Sequence, residues 1–390
     1  MGAVTIALTG GGSGGHITPI LAVADELKRQ RPDARIVFIG QIGDKLGDVP
    51  KAHPSVDDVY YVRAGKVRRY HGQGWKQMFH LPTMAKNIRD GFFLLIGIWQ
   101  SYKLLKKIQP SVIFVRGSYV GVPVCIAAAR QKIPYITHDA DSIPNLTNKI
   151  IGKNAAAHAV AMPKETYAYP QDKTFQVGIP ISDDYQPVTT RTKNEYRKGL
   201  NLKEDDKVIC VTGGGLGAQR LNGYVCQIVP ELLKKYPSLV VFHFAGRKHE
   251  IEVNNYYDSH VQPEQRKQVV VKGFVNDLYK YTAAADLAIT RAGATQLAEF
   301  EAQGKACVVV PNPMLTGGHQ TKNAEELEKA HSIVLVREEE VSERLLPAVT
   351  ELLNFSEKRQ SLEASLAKFA RPNAGREITE LILSVAKQRI

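Results

Sequence analysis

The sequence predicts an α/β protein made of two doubly wound domains, each a parallel sheet flanked by helices. Three observations carry this. A short apolar run, a glycine-rich turn and an amphipathic helix follow one another in TIALTGGGSGGHITPILAVADEL, Thr5–Leu27, and the same order recurs from Val208 through TGGGLGAQRLN, Thr212–Asn222. After each start, strand-like apolar runs alternate with helical stretches, the pattern of a parallel sheet covered by helices. The 390 residues suit two domains, at roughly 150 residues each.

The elements follow in order. Val4–Leu8 is a short apolar run, as expected of a strand buried on both faces. Five of the seven residues Thr9–Gly15 are glycine, and His16 follows at once. Glycines allow unusual dihedrals and let main-chain N–H groups approach a ligand closely, and a helix N-terminus attracts anions. Pro19 suits an early helix position, and Ile20, Leu21, Val23, Ala24 and Leu27 repeat with helical spacing. Further strands are expected at Arg35–Ile39, Val56–Val62, Ser111–Val115, Pro134–Thr137 and Ala156–Ala161. The series restarts at Val208–Val211 and continues through Leu239–Phe244, Val269–Val271, Leu287–Ile289, Ala306–Val310 and Ile333–Val336. The polar, proline-bearing stretch Gly178–Lys193 reads as the join. The expected domains are residues 1–180 and 181–375, with the C-terminal helix 376–390 packing back on the first.

Composition is that of an ordinary globular chain, 44% apolar and 23% charged. Cys125, Cys210, Cys226 and Cys307 lie far apart with no C-x-x-C pair, so neither a disulfide framework nor a zinc site is expected. No signal peptide and no run of about 20 apolar residues is apparent, which points to a soluble or peripheral protein in a reducing compartment. The net charge of +12 is uneven. Arg63–Lys107 holds six Lys, four Arg and one Asp, interleaved with the apolar FFLLIGIW, Phe92–Trp99. Basic residues beside apolar ones suggest an anionic membrane surface. The alternative is that Met84, Ile88, Phe92, Leu95, Trp99 and Tyr102, which share helical spacing, are core. No nucleic-acid motif accompanies the basic stretch, and no nucleic-acid partner is expected.

Both glycine loops satisfy a dinucleotide-binding spelling, Gly10/Gly12/Gly15 and Gly213/Gly215/Ala218. That motif needs an acid at the end of the next strand to hold the ribose. Here Gly40 and Gln41 stand there, with no acid before Asp44, and the second copy has Gly246, Arg247 and Lys248. An NAD enzyme is therefore disfavoured. The remaining reading is a sugar transferase with a nucleotide-sugar and an acceptor held in a cleft between the domains. In RAGATQLAEFEAQGKACVVVPNP, Arg291–Pro313, a glycine turn opens a helix in which Glu299 could accept both ribose hydroxyls. A solvated helix glutamate is the plainer alternative. GGHQTKNAEEL, Gly317–Leu327, then leads polar His319, Gln320 and Asn323 into a helix.

The ordered set GGGSGGH, GGGLGAQRLN, RAGATQLAE and HQTKNA, with RGSYVGVPVCIAAARQKIPYITHDADSIPNLTNK (Arg116–Lys149), resembles the MurG family. These are bacterial N-acetylglucosaminyltransferases of glycosyltransferase family 28 that convert lipid I to lipid II. The match spans nearly the whole chain. The resemblance implies a GT-B fold, two Rossmann-like domains facing across a cleft, and metal-independent inverting transfer from UDP-N-acetylglucosamine to the muramyl C4 hydroxyl of lipid I, with no cofactor. It also implies peripheral attachment to the cytoplasmic membrane face. A related GT-B transferase acting on another lipid-linked or small-molecule acceptor is the alternative.

Residue by residue, the resemblance implies that Ser13, Gly14 and Gly15 line the cleft beside the sugar and acceptor diphosphate. It places Tyr119, Asp141, Asn148, Gly215 and Arg291 among the substrate contacts and the main chain of Val275 against uracil. Ala294, Thr295, Gln296, Leu297, Ala298 and Glu299 form the helix whose start meets the donor diphosphate, with Glu299 on the ribose. Gln320 and Asn323 contact the sugar hydroxyls, and His16, His138 and Asp139 face the acceptor. Three departures stand out: Asp141 replaces an asparagine, Ser182 an arginine, and Gly215 a serine. The acceptor hydroxyl needs a general base; His16 is the first candidate, because imidazole titrates near neutral pH, and Asp139 the second. Asp139-Ala140-Asp141 spells a DxD metal motif but aligns with the acceptor region, so no metal is expected.

Overall fold

A computed structural model of the chain describes residues 4–12, 14–66, 81–141, 143–314 and 318–388. The chain divides into two compact units. The first comprises Met1–Ser182, Met314–His319 and Arg371–Ile390; the second comprises Asp183–Pro313 and Gln320–Ala370.

The first unit holds a parallel sheet of β1 (Thr5–Thr9), β2 (Arg35–Gln41), β3 (Asp58–Val62), β4 (Val112–Val115), β5 (Tyr135–Asp139), β6 (Ala157–Val160) and β7 (Thr174–Gln176). Its order is β3-β2-β1-β4-β5-β6-β7. Side chains alternate across the sheet with period two. Ile6, Leu8, Ile36, Phe38, Val112 and Phe114 face one side, where Ile20, Val23 and Leu27 of helix Gly14–Gln30 cover them. Ile378, Ile382 and Val385 of helix Ala374–Lys387 join the same cluster. Ala7, Val37, Ile39, Ile113 and Val115 face the other side, under Leu105 and Ile108 of helix Leu81–Ile108 and Val124, Cys125 and Ala128 of helix Gly121–Arg130. The sequence pattern did not anticipate β7, because three residues with two of them exposed carry no periodic signal.

The second unit holds β8 (Lys207–Thr212), β9 (Leu239–Phe244), β10 (Val269–Lys272), β11 (Leu287–Thr290), β12 (Cys307–Val309) and β13 (Val334–Leu335). The order is β10-β9-β8-β11-β12-β13, again all parallel. In both units the strand order reverses beside the first strand, between β1 and β4 and between β8 and β11. Ligands of open α/β sheets bind at the carboxyl ends of the strands flanking such a reversal. The glycine loops stand there in both units.

Helix Leu81–Ile108 corrects the core alternative. Ile88, Phe92, Leu95, Trp99 and Tyr102 are between 42% and 64% exposed, so this stripe faces outward while Leu105 and Ile108 are buried. The Lys103 ammonium sits 3.8 Å over the Trp99 ring. Met84 lies at a position whose side chain is outside the described set. Among the described residues no helix is long and apolar enough to cross a membrane.

Candidate active site

In the first unit the loop after β1 is held from two sides. Gly12 has φ +83°, a conformation that suits glycine. Its N–H donates to Asp44 Oδ2 at 2.7 Å, while Asp44 Oδ1 accepts from the Leu46 N–H at 3.1 Å. Asp44, which comes too late to anchor a ribose, thus ties the loop to the chain after β2. The Ser118 hydroxyl donates to the Gly11 carbonyl at 2.9 Å. A Cβ on Gly12 would stand 3.1 Å from the Tyr119 ring, whose hydroxyl bonds the Gln41 side chain. Ser13 lies outside the described residues. Gly14 and Gly15 open the helix, so Pro19 falls in its second turn rather than its first.

His16 follows on that first turn and is half-buried. Its ring engages the Arg116 main-chain carbonyl, and Nδ1 has no partner among the described residues. Burial, joined by the Arg116 charge and opposed by the Asp141 carboxylate, lowers its pKa to about 4. The imidazole is therefore neutral at pH 7, with a lone pair available.

His138 is arranged otherwise. Its Nδ1 accepts from Arg116 Nη1, and its Nε2 donates to the Gly178 carbonyl at 2.8 Å. Burial and the Arg116 charge hold it well below the usual histidine range. Both nitrogens are bonded within the fold, which sets His138 apart from His16. Asp139 is also committed. Tyr169 donates to Oδ2 at 2.8 Å, the Asn145 N–H reaches Oδ1 at 3.4 Å, and burial raises its pKa. Asn145 caps helix Leu146–Ile151 through the Asn148 N–H at 3.0 Å, and the Asn148 amide donates to the His138 carbonyl at 2.9 Å. Asp139, Asn145 and Asn148 thus form a brace under the end of β5.

In the second unit, Gly213–Gly217 leaves β8 with φ +84° at Gly214 and +76° at Gly217. A Cβ on Gly217 would lie 2.1 Å from the Ala245 carbonyl oxygen, so only glycine fits. Gly215 lies mid-loop, without the hydroxyl that a serine would supply. Helix Ala294–Gln303 starts at the end of β11, and its N-cap, Gly293, supplies no capping side chain. Orphan N–H groups at such a start attract anions. Ala294 and Ala298 are half-buried, while Thr295 and Leu297 are buried.

Glu299 lies one turn further on. Gln296 Nε2 donates to its Oε2 at 3.0 Å, and Gln296 Oε1 accepts from the Thr212 hydroxyl at 3.4 Å. Burial pushes the Glu299 carboxyl up to about 8, against a hydrogen bond from Tyr185. It is not the solvated helix glutamate that its sequence position also allowed. Gln320 Oε1 accepts from the Asn312 N–H at 2.9 Å, and the buried Asn323 amide reaches the Ala292 carbonyl at 3.4 Å. Val275 is half-buried beside Tyr281 and Phe244.

Arg291 is placed differently from a substrate contact. It is 5% exposed; Nη1 donates to the carbonyls of Val310 and Pro311 at 3.0 and 3.1 Å, and Nη2 pairs with Glu338 at 2.8 Å. It crosslinks β11 to the chain after β12. Sequence reasoning also passed over Arg116, Asp44 and Tyr185. For Arg116 a signal existed: a charged residue directly follows the apolar β4, at the reversal of the sheet.

Comparison with known proteins agrees with this geometry. Residues 6–160 match the glycosyltransferase family 28 N-terminal domain, and residues 208–377 match the family 28 C-terminal domain. A relative from Natranaerobius thermophilus is 30% identical over 391 residues, covering 97% of this chain and 99% of its own. One from Christiangramia forsetii is 29% identical, covering 99% and 98%. Both are named UDP-N-acetylglucosamine–N-acetylmuramyl-(pentapeptide) pyrophosphoryl-undecaprenol N-acetylglucosamine transferase. The crystal structure of Acinetobacter baumannii MurG shares the fold, with TM-score 0.67 at 21% identity over 98% of this chain and 99% of its own. With both domain models matched in order and a relative alike from end to end, the chain belongs to the family 28 glycosyltransferases, among those named for N-acetylglucosamine transfer to undecaprenol-linked muramyl-pentapeptide.

Proposed function

We propose that this protein transfers N-acetylglucosamine from UDP-N-acetylglucosamine to the C4 hydroxyl of the muramyl residue of lipid I, forming lipid II with inversion at the anomeric carbon. The observation that carries this is the end-to-end likeness to relatives named for that transfer.

Chemically, the acceptor hydroxyl is a poor nucleophile until a base takes its proton. His16 Nδ1 has no partner among the described residues and can accept that proton, whereas both His138 nitrogens are bonded within the fold and Asp139 holds Tyr169 and the Asn145 N–H. As the acceptor oxygen bonds the anomeric carbon, the bond from that carbon to the UDP oxygen breaks. The proton passes to His16, and the electron pair leaves on UDP. Main-chain N–H groups of the Gly213–Gly217 loop and the start of helix Ala294–Gln303 meet that charge. Glu299 takes the ribose hydroxyls, exchanging its Tyr185 contact for them. Gln320 and Asn323 take the sugar hydroxyls, and Gly14, Gly15 and Tyr119 border the acceptor side.

The protein docks on the cytoplasmic face of an anionic membrane in this reading, and the outward stripe of helix Leu81–Ile108 supports the membrane contact itself. Its aromatic residues insert, and Arg89, Lys103, Lys106 and Lys107 meet lipid headgroups.

The test is UDP release by the purified protein with UDP-N-acetylglucosamine, with and without a lipid I analogue. Release that needs the analogue and yields a disaccharide product is expected. Donor binding with no analogue-dependent release would refute the acceptor assignment and favour another lipid-linked or small-molecule acceptor.

A further inference from the structure

Arg116 stands directly after β4, beside the reversal of the first sheet, and neither the motifs nor the matched relatives' names assign it a role. It is 3% exposed. Burying a guanidinium is costly unless it is paired and hydrogen-bonded, so what it bonds is informative. Its Nε donates to the Gly15 carbonyl at 3.1 Å. That carbonyl would ordinarily accept from the N–H four residues on, but residue 19 is proline and has none. Pro19 thus removes the usual main-chain donor to this carbonyl at the first turn of helix Gly14–Gln30, and Arg116 supplies a donor to it. A second arm of the same planar fork donates to His138 Nδ1, whose other nitrogen is anchored on Gly178. One side chain therefore ties β4, β5 and the helix start that carries His16.

The charges around His16 complete the picture. Arg116 faces it from the end of β4, Asp141 from the chain after β5, and His319 from the start of helix His319–Lys329. Asp139 and Asp141 both act on Arg116 and favour its charged form. The carboxylate at Asp141 thus accompanies a buried arginine at 116.

We propose that Arg116 is a positioning residue for His16, pinning the turn that presents the imidazole and setting a permanent cation beside it. This rests on the reading of His16 as the base. Burial already holds the imidazole neutral at neutral pH, and the cation adds to that effect, so the ring enters the reaction able to accept a proton. The fork holds it in one place. Asp141 offsets part of that charge, so the imidazole keeps some basicity. Lysine would retain the charge but not the fork, because one ammonium cannot reproduce the planar two-armed geometry.

The experiment follows histidine ring signals by NMR in the full-length protein, with His16 assigned by its loss in His16→Gln, alongside the pH dependence of kcat. In Arg116→Met the His16 midpoint is expected to rise by about one pH unit or more toward the ordinary value of about 6.5. The acid limb of kcat should follow it, kcat at neutral pH should fall roughly tenfold or more, and donor KM should stay within about threefold. Arg116→Lys should keep the low midpoint while kcat stays depressed. A midpoint unmoved in folded Arg116→Met overturns the proposed charge effect, and full turnover in Arg116→Lys overturns the fork. If Arg116→Met fails to fold, the lysine variant still decides, since full turnover there refutes the proposal. Turnover surviving in His16→Gln would instead refute the base assignment, which is a separate failure.

Discussion

Replacing Glu299 by glutamine separates the cost of burying this carboxyl from the use of having it. An unfolded chain releases the Glu299 proton above the ordinary value of 4.5, whereas the folded protein holds it up to about 8. Between those values the folded state binds more protons, so stability is fully present below 4.5 and declines as pH rises toward 8. Worked from those two values, wild type loses about 3 kcal/mol through this one group between about pH 6 and pH 9. Relaxation around a half-buried group makes that an upper figure. The glutamine side chain carries no such proton, and every other titrating group is common to both proteins.

At about 2–4 °C per kcal/mol for a unit of this size, Glu299→Gln should gain roughly 5–10 °C over wild type on going from pH 6 to pH 9. Calorimetry at the two pH values reads this directly, and the relevant transition is the one that UDP raises. At pH 9, where the wild-type group is ionised, the same substitution should raise donor KM about tenfold or more, because one carboxylate oxygen becomes an N–H donor facing ribose hydroxyls. Parallel pH dependence of Tm in the two proteins would refute the buried-carboxyl reasoning, and an unchanged KM would refute the ribose assignment.

His16→Ala should lower kcat by roughly 10²–10⁴-fold with donor affinity intact; near-normal turnover in steady-state assays would remove His16 as the base. Gly217→Ala forces a Cβ to within 2.1 Å of the Ala245 oxygen at φ +76°. It should destabilise the second unit by about 2 kcal/mol or more and weaken UDP binding, as read by denaturant titration and calorimetry. A double change of Phe92 and Trp99 to glutamate alters exposed positions only. It should abolish sedimentation with phosphatidylglycerol vesicles while leaving kcat on a short-chain soluble acceptor within about twofold, and retained vesicle binding would refute the docking face.

The strand series was legible because parallel strands buried on both faces read as short apolar runs. Every one anticipated at the sequence level has a counterpart in the sheets, some with ends shifted by a residue or two. The glycine loops were equally legible, since positive φ at Gly12, Gly214 and Gly217 leaves few alternatives to glycine. Side-chain roles were harder to read. His16 and His138 look alike in sequence as imidazoles at loop boundaries. Only the hydrogen bonds separate them, one ring having a nitrogen with no partner among the described residues and the other having both nitrogens bonded. Arg291 sits in the motif that opens the donor helix, yet its guanidinium turns away to two carbonyls and Glu338. The helical stripe from Ile88 to Tyr102 had the right period for a core, and period alone cannot say whether a neighbouring element covers it.

By itself the sequence determined the things that depend on local chemistry: two α/β units, loops that need glycine at their turns, and an ordered motif set specific enough to predict the family. The tertiary structure decided what depends on contacts between residues far apart in the chain. Pro19 brings no N–H to the Gly15 carbonyl, and Arg116, about a hundred residues away, donates to it instead. Asp44 crosses from the chain after β2 to hold Gly12. Burial, together with the side chains that meet each group in the fold, moves His16 to about 4 and Glu299 to about 8. Desolvation and Coulomb effects act through space, so the protonation states on which the chemistry depends exist only once the chain has folded.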